Sequence, residues 1–219
     1  MNKWLRRKCN SLGYGVQSPN DFYFVQHVLL EELPYYNYEI IEKVGRERHG
    51  QVPSYPNVTN KLLFRLANYL HPDTIVEVGA GTSALSLSLA CPSAQCIAIT
   101  NSKECHEELL HLLPPHTRVK KGDEMELFQQ FLQEKGTIGM LHIAHTTRHQ
   151  EILDHALPYV TDRTLIVIEG IGSSKEKYAW WESLQNNPQI GITYDLEDIG
   201  LIFFNRSRHK ESYWIKLRK

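Results

Sequence analysis

The sequence predicts an α/β protein, a three-layer sandwich around a mainly parallel, seven-stranded, Rossmann-like sheet that ends in an antiparallel C-terminal hairpin. Three observations predict this fold. Short apolar runs alternate with amphipathic helical stretches from residue 57 onward. The run Thr164–Glu169 is almost wholly apolar, as a central parallel strand should be. The last two runs are separated by a turn too short for a crossover, so they must pair antiparallel.

The individual elements follow from hydrophobic periodicity and from the prolines and glycines between the runs. The predicted helices are Asn60–Leu70, Ser83–Ala90, Lys103–Leu113, Met125–Gln133, Gln150–Tyr159 and Lys175–Asn186. The predicted strands are Thr74–Val78, Cys96–Thr100, Arg118–Lys120, Thr137–Ala144, Thr164–Glu169, Gly191–Leu196 and Gly200–Asn205. The basic residues after Asn205 are interpreted as a solvated face.

Residues 1–56 are predicted to form a helical extension, and residues 57–219 the α/β domain. Within the extension, Asp21–Glu32 is predicted to be one amphipathic helix because its apolar residues share one face. Three tyrosines follow it, at positions 35, 36 and 38. They either pack the extension onto the core or form a lid over the substrate side of the cleft.

Composition excludes several classes of protein. The chain has 219 residues, a net charge of −1, 42% hydrophobic residues and 22% charged residues. A net charge near zero argues against bulk electrostatic binding of nucleic acid. No apolar run approaches the roughly 20 residues that a bilayer span requires. Four cysteines without disulfide or zinc spacing indicate reduced thiols and a cytoplasmic location.

The stretch after the first predicted strand carries the clearest chemical signal. The strand ends in a carboxylate, Glu77, and a glycine turn and a helix follow. Glycines at 79 and 81 allow a ligand to approach the main chain, and a hydroxyl at 82 or 83 can cap the helix. A carboxylate in this place repels a pyrophosphate but suits a cationic amino group, which disfavours a dinucleotide. The alternative is a turn that only connects strand to helix. The candidate binding residues here are Glu77, Gly79, Ala80, Gly81, Thr82 and Ser83.

This Glu-x-Gly-x-Gly-x-Ser corner, opening a βα alternation, resembles the first motif of class I S-adenosylmethionine-dependent methyltransferases. The resemblance covers residues 60–205 and is nearest to the small O-methyltransferase subgroup. It implies S-adenosylmethionine as cofactor, with Glu77 ordering the amino group and the glycines passing under the methionine and ribose. The Gly15-Val16 and Ser18-Pro19 pairs also match a His-Gly-Val-His-Ser-Pro-Phe signature found in a group of bacterial methyltransferases.

The same resemblance implies roles for residues at the ends of the second and third strands. Thr100 or Asn101 stands where the family has an acid that binds the ribose hydroxyls. Asp123 matches an acid that lies near the adenine, and it also suits the N-cap of the next helix. Ala144, at the end of the fourth strand, lines the cofactor site in the place of an aspartate that binds metal in some members.

The absence of that aspartate affects two predictions, whether a metal is bound and which residue acts as the catalytic base. Metal-dependent members also carry an acidic pair after strand five, where this chain has Glu169-Gly170. One carboxylate does not make a hard-metal site, so no Mg²⁺ site is predicted. The candidate general bases are His145 and Glu169. Alternatively, the histidines of this region are loop residues, or His145, His149 and Glu169 bind a transition metal.

The sequence therefore predicts a methyltransferase that uses S-adenosylmethionine, with an oxygen of a small molecule as the expected acceptor. The altered positions leave a second hypothesis open, a methyltransferase fold that has lost its chemistry and serves as a binding or assembly module. A homodimer is one candidate for the oligomeric state.

Overall fold

The computed structural model describes residues 3–47, 57–79, 83–101, 113–144 and 146–217. Its helices are α1 (Lys3–Ser11), α2 (Pro19–Phe24), α3 (Tyr38–Glu47), α4 (Asn57–Leu70), α5 (Ala84–Ala90), α6 (Glu124–Lys135), α7 (His149–Ala156) and α8 (Lys175–Leu184). Its strands are β1 (Thr74–Val78), β2 (Gln95–Thr100), β3 (Thr117–Lys121), β4 (Ile138–Ile143), β5 (Val160–Glu169), β6 (Ile192–Asp195), β7 (Ile199–Phe203) and β8 (Glu211–Trp214). A π-helical turn (Val25–Leu29) continues α2, and a 3₁₀ turn (Leu157–Tyr159) follows α7. The helix predicted over 103–113 lies almost entirely outside the described residues.

The strands form one eight-stranded sheet in the order β3-β2-β1-β4-β5-β7-β6-β8. The pairs among β1 to β5 are parallel, whereas β7 runs antiparallel to both β5 and β6. The structure thus confirms the mainly parallel sheet and its antiparallel C-terminal pair. It adds β8, which lies parallel to β6 at the edge. Tyr213 and Ile215 of this segment are buried, whereas the basic residues Arg206, Lys210 and Lys216 are exposed, as a solvated face requires.

Side chains alternate between the two faces of the sheet, and each face has its own helical layer. Alternate apolar residues such as Ile75 and Met140 pack in one cluster with α4, α5 and residues of the extension. Their neighbours Val76 and Leu141 pack in a second cluster with α6, α7 and α8. The sheet is therefore covered on both sides, which confirms the three-layer sandwich.

The extension packs on the first of these faces. The Phe24 ring lies 5.0 Å from that of Tyr194 and 5.3 Å from that of Phe203. The predicted helix Asp21–Glu32 ends early, as a π-helical turn, where the buried Arg65 donates hydrogen bonds to the terminal carbonyls of Val28 and Leu29. The described part of the extension shares a core with the strands, and its status as a separate unit stays a prediction.

Two adjacent tryptophans of α8 point in different directions. Trp181 is fully buried, and its ring lies so close to Gly200 that a Cβ there would come within 2.5 Å of it. Trp180 instead sets its ring 4.6 Å from that of His149.

Within the described ranges, no helix is both long and apolar enough to cross a membrane.

Candidate functional site

The described residues among those predicted to bind the cofactor meet at the carboxyl edge of the parallel strands. Backbone hydrogen bonds continue one residue beyond the strands there, from Gly79 N to Ile99 O (2.9 Å) and from Ala144 N to Val78 O (2.9 Å). In open α/β sheets, ligands bind at this edge. The predicted site residues that the structure brings to it are Glu77, Gly79, Ser83, Thr100, Asn101, Asp123, Ala144 and Glu169.

The turn after β1 depends on glycine for two reasons. Gly79 has φ +127°, a conformation that residues with a side chain rarely adopt. A Cβ on Gly79 would also lie 3.0 Å from the Cβ of Ala144, so the Gly79 backbone lies directly against the end of β4. The remaining turn residues, Ala80, Gly81 and Thr82, lie outside the described residues, and their predicted roles stay predictions.

A line of three ionisable side chains crosses the sheet just inside this edge. Glu77 on β1, His142 on β4 and Glu169 on β5 project from the same face of neighbouring strands, and we call them the carboxylate–histidine row. The His142 Nε2 lies 2.9 Å from Glu169 Oε1, and its Nδ1 lies 3.7 Å from Glu77 Oε1. Glu77 and His142 are 0% exposed and Glu169 is 3% exposed, so the row is almost completely buried in the ligand-free protein.

The electrostatics of the row follow from its burial and its charges. Burial alone would lower the pKa of His142, but the hydrogen bond with Glu169 and the charges of Glu169 and Glu77 outweigh it, so the pKa is raised. Glu77 Oε1 also accepts a hydrogen bond from the backbone N–H of Ser83, at 3.2 Å. Burial, reinforced by the charge of Glu77, raises the pKa of the Cys96 thiol, which therefore stays neutral.

Ser83, one of the two residues predicted to cap the helix, takes the N-cap position of α5, but its hydroxyl makes no capping bond. The side chain is completely buried, and Ser83 Oγ has no hydrogen-bond partner in the described part of the chain. A buried hydroxyl left in this state next to a ligand-binding edge is suited to a polar ligand group.

Two residues of this region were not among the predicted site residues. His142 is the register partner of Glu77, so period-two alternation on two aligned strands is the signal that would have found it. Lys177, half-buried near the start of α8, donates from Nζ to the backbone carbonyl of Glu169 at 2.7 Å. Burial lowers the pKa of Lys177.

Asp123 acts as the N-cap of α6, the local role predicted for it. Its carboxylate accepts hydrogen bonds from the N–H groups of Met125 and Glu126 and pairs with Arg148 at 3.0 Å. The bond from Glu126 is the main reason that its pKa is lowered, and the Arg148 charge adds to the effect. Thr100 is buried and Asn101 exposed at the neighbouring strand end. Their contacts with a cofactor stay predictions.

Of the histidine candidates, the structure describes His149 but not His145. The role of His145 as a base therefore stays a prediction. His149 turns its Nδ1 toward the carbonyl of Thr146 (3.4 Å), and burial together with the charge of Lys177 lowers its pKa. Among the described residues, no group of three or more His, Cys, Asp or Glu side chains has the arrangement of a metal site. The transition-metal alternative involves His145 and is not tested by them.

The tyrosines after α2 have separate environments. Tyr38 is buried, and its ring lies 5.6 Å from that of Phe64 on α4. Tyr36, in contrast, is 82% exposed. A cavity of about 700 Å³ lies between this segment and α4, with Tyr35 and Glu39 in its wall. At least one of the three tyrosines thus packs the extension onto the core.

The sheet has strand three at one edge and an antiparallel pair after strand five, which agrees with the fold that the resemblance to class I S-adenosylmethionine-dependent methyltransferases implies. No protein-family model matches the sequence, and no curated protein matches it. Solved structures do match in fold. They include a methyltransferase from Geobacter sulfurreducens, with TM-score 0.59 and 15% identity over 87% of this chain and 98% of that one.

Two further solved structures hold ligands. The O-methyltransferase from Bacillus cereus in complex with S-adenosylhomocysteine has TM-score 0.55 and 14% identity, over 86% of this chain and 98% of that one. The O-methyltransferase TomG from Streptomyces achromogenes, in complex with S-adenosylmethionine, has TM-score 0.54 and 17% identity, over 93% of this chain and 99% of that one. At such identities, the likeness shows the fold.

Proposed function

We propose that this protein is an S-adenosylmethionine-dependent methyltransferase that acts on an oxygen of a small molecule without a dedicated Mg²⁺ site. The observation that carries the proposal is the buried carboxylate of Glu77 beside the Gly79 turn, at the carboxyl edge of the sheet. The fold supports it, since solved neighbours with the same architecture hold S-adenosylmethionine or S-adenosylhomocysteine.

The residues present fit the amino-acid part of this cofactor. The Glu77 carboxylate suits an ammonium group, and the buried Ser83 hydroxyl suits a carboxylate. The missing side chain at Gly79 allows close approach to the backbone. Thr100 or Asn101 would bind the ribose hydroxyls, more weakly than an acid because both are neutral.

When bound, the cofactor supplies an electrophilic methyl group on a sulfonium. The chain has to hold the acceptor in line with that methyl group and to accept one proton. His145 and Glu169 are the proposed bases. A proton accepted at Glu169 would reach a carboxylate that already contacts His142 Nε2 at 2.9 Å, so the acid formed there stays hydrogen-bonded.

The acceptor is proposed to be a small molecule. Ala144 offers no ligand to a metal, and Glu169 is followed by Gly170, so the acidic pair that would bind Mg²⁺ is absent from the sequence. The described part of the extension lies on the same face as the carboxylate–histidine row, which supports a role at the acceptor side of the cleft.

We further propose a cytoplasmic protein. A homodimer stays a candidate, which sedimentation velocity tests directly.

Isothermal calorimetry with S-adenosylmethionine and S-adenosylhomocysteine tests the proposal. We expect micromolar binding by the wild type and binding weakened about tenfold to a hundredfold in Glu77→Gln, which loses a charge-assisted bond of about 1.5–3 kcal/mol. Glu134→Gln, at an exposed position near the end of α6, is the matched control and should bind as the wild type does.

Turnover separates the two hypotheses. Release of S-adenosylhomocysteine with a panel of phenols, alcohols and carboxylic acids would support the enzyme. Binding without turnover of any acceptor would favour the binding module, which the altered positions Ala144 and Gly170 also favour. If the wild type binds neither cofactor form, the proposal is wrong.

A further inference from the structure

His142 is held between two carboxylates, one at each ring nitrogen. Glu169 Oε1 lies 2.9 Å from Nε2, and Glu77 Oε1 lies 3.7 Å from Nδ1. A neutral imidazole has one N–H and one lone pair, so one of its nitrogens would direct a lone pair at a carboxylate. The imidazolium, with two N–H groups, suits both neighbours. The ring is completely buried, so no solvent competes for these contacts.

The ionisable groups around the row come from each element packed against it. Glu77 on β1 and Glu169 on β5 act on His142 directly. The neutral Cys96 thiol on β2 lies near Glu77, and Lys177 of α8 lies near Glu169. On the covering helices, α5 has no ionisable residue, and α4 contributes Arg65, which is committed to carbonyls of the extension. Among the described residues, the charged groups that act on His142 are therefore the two carboxylates.

We propose that His142 is a positioning residue of the cofactor site: as an imidazolium it orients the carboxylates of Glu77 and Glu169, and it releases its proton to solvent when a cationic amino group binds at Glu77. This inference rests on the proposed function, because it assigns Glu77 the ammonium group of the cofactor. No bond other than an N–H bond of His142 is broken, and buffer accepts the proton.

The physical reason is competition between two cations for one carboxylate. A ligand ammonium at Glu77 lies within a few ångströms of the His142 ring, in a site where water does not screen the repulsion. The imidazolium is then disfavoured relative to the neutral ring. By linkage, release of one proton makes the affinity rise with pH, by about tenfold per pH unit at most, until His142 is neutral in the free protein.

Calorimetry with S-adenosylhomocysteine in buffers of different ionisation enthalpy counts the released protons. Between pH 6 and 8 we expect the wild type to release up to one proton and to bind more tightly as the pH rises. His142→Gln should release none and show a flat affinity profile. His209→Gln, which removes a histidine whose side chain is 89% exposed, should behave as the wild type. The probe 5′-methylthioadenosine lacks the ammonium and should bind without proton release.

A second measurement does not depend on the folding of a variant. The imidazole ¹⁵N signals of His142 in the wild type should change from the imidazolium to the neutral pattern when S-adenosylhomocysteine is added. Binding without proton release and without this change would overturn the role of His142 and leave the proposed function standing. Proton release that persists in His142→Gln would also overturn it. Failure of the wild type to bind any cofactor form would overturn both proposals.

Discussion

Two regions of this protein bury carboxylates on the same face of the sheet, and they do so differently. One is the carboxylate–histidine row. The other, which we call the latch, consists of Asp21, Tyr194, Arg208 and Tyr213. Asp21 is 2% exposed, and its oxygens accept hydrogen bonds from the hydroxyls of Tyr194 (2.8 Å) and Tyr213 (3.2 Å) and from the Arg208 guanidinium. The latch joins the extension to β6, β8 and the loop between β7 and β8.

The difference lies in the balance of formal charge. The latch sets one carboxylate against one guanidinium and two hydroxyl donors, so its charges cancel within the fold. Within the row, two carboxylates lie beside one imidazole, whose charge changes with its protonation. A buried carboxylate alone thus indicates neither stability nor function, and the balance of charge around it distinguishes the two.

The largest expected effect tests the latch. Asp21→Ala should lower the free energy of unfolding by about 3 kcal/mol, because it leaves the Arg208 charge and two tyrosine hydroxyls without their shared acceptor. Urea denaturation measures this loss. Asp154→Ala, at an exposed position of α7, is the control and should change stability by less than about 0.5 kcal/mol.

Urea denaturation of Glu77→Gln tests whether the row differs from the latch in its contribution to stability. We expect a change in stability below about 1 kcal/mol, because His142 can lose its proton when its partner loses its charge. If Glu77→Gln destabilises the ligand-free protein as strongly as Asp21→Ala does, the row is a structural device like the latch.

The second prediction concerns how the stability that the row contributes depends on pH. Because the pKa of His142 is raised in the folded protein, its protonation stabilises the fold at pH values below the unfolded pKa of about 6.5. This contribution is lost as the pH rises through the folded pKa. The excess stability of the ligand-free wild type over His142→Gln should therefore decrease from pH 5 to pH 9, as measured by urea denaturation. A constant difference would contradict a protonated His142.

A smaller effect is expected within the latch. Tyr213→Phe removes the longer of the two hydroxyl contacts with Asp21, at 3.2 Å, and should cost about 1 kcal/mol of stability. Cofactor affinity should not change, because Tyr213 lies outside the row. Tyr14→Phe, at a side chain that is 70% exposed, is the control for loss of a hydroxyl. A fall in affinity in Tyr213→Phe would show that the two regions are coupled.

The smallest expected effect is a gain in affinity for the cofactor. Asn101→Asp restores an acid at the end of β2 and should tighten cofactor binding by about fivefold, since a charged acceptor roughly doubles the strength of a hydrogen bond. Calorimetry measures the gain, and Asn186→Asp, at an exposed position after α8, is the control. Unchanged affinity in Asn101→Asp would mean that this position does not reach the ribose hydroxyls.

Elements with strong local periodicity were predicted closely, and elements made by distant contacts were not. The bounds of β1 are those predicted. A buried strand between a helix end and a glycine turn can be predicted from its own residues and their immediate neighbours. The strand β8 has only four residues, Glu211–Trp214, and exists because it pairs with β6 and buries Tyr213. The carbonyls at the early end of the helix after Asp21 are likewise satisfied by a distant residue, Arg65, which lies 36 residues beyond Leu29.

The sequence by itself determined the α/β architecture and the glycine corner after Glu77, because alternation, turn residues and caps act over a few neighbouring positions. Only the tertiary structure decided that His142 stands between Glu77 and Glu169. That arrangement depends on the placement of β4 between β1 and β5 and on their register, which join residues 65 and 27 positions apart. No local pattern records which strand will lie beside which, so the partner of a buried charge becomes known only when the sheet is assembled.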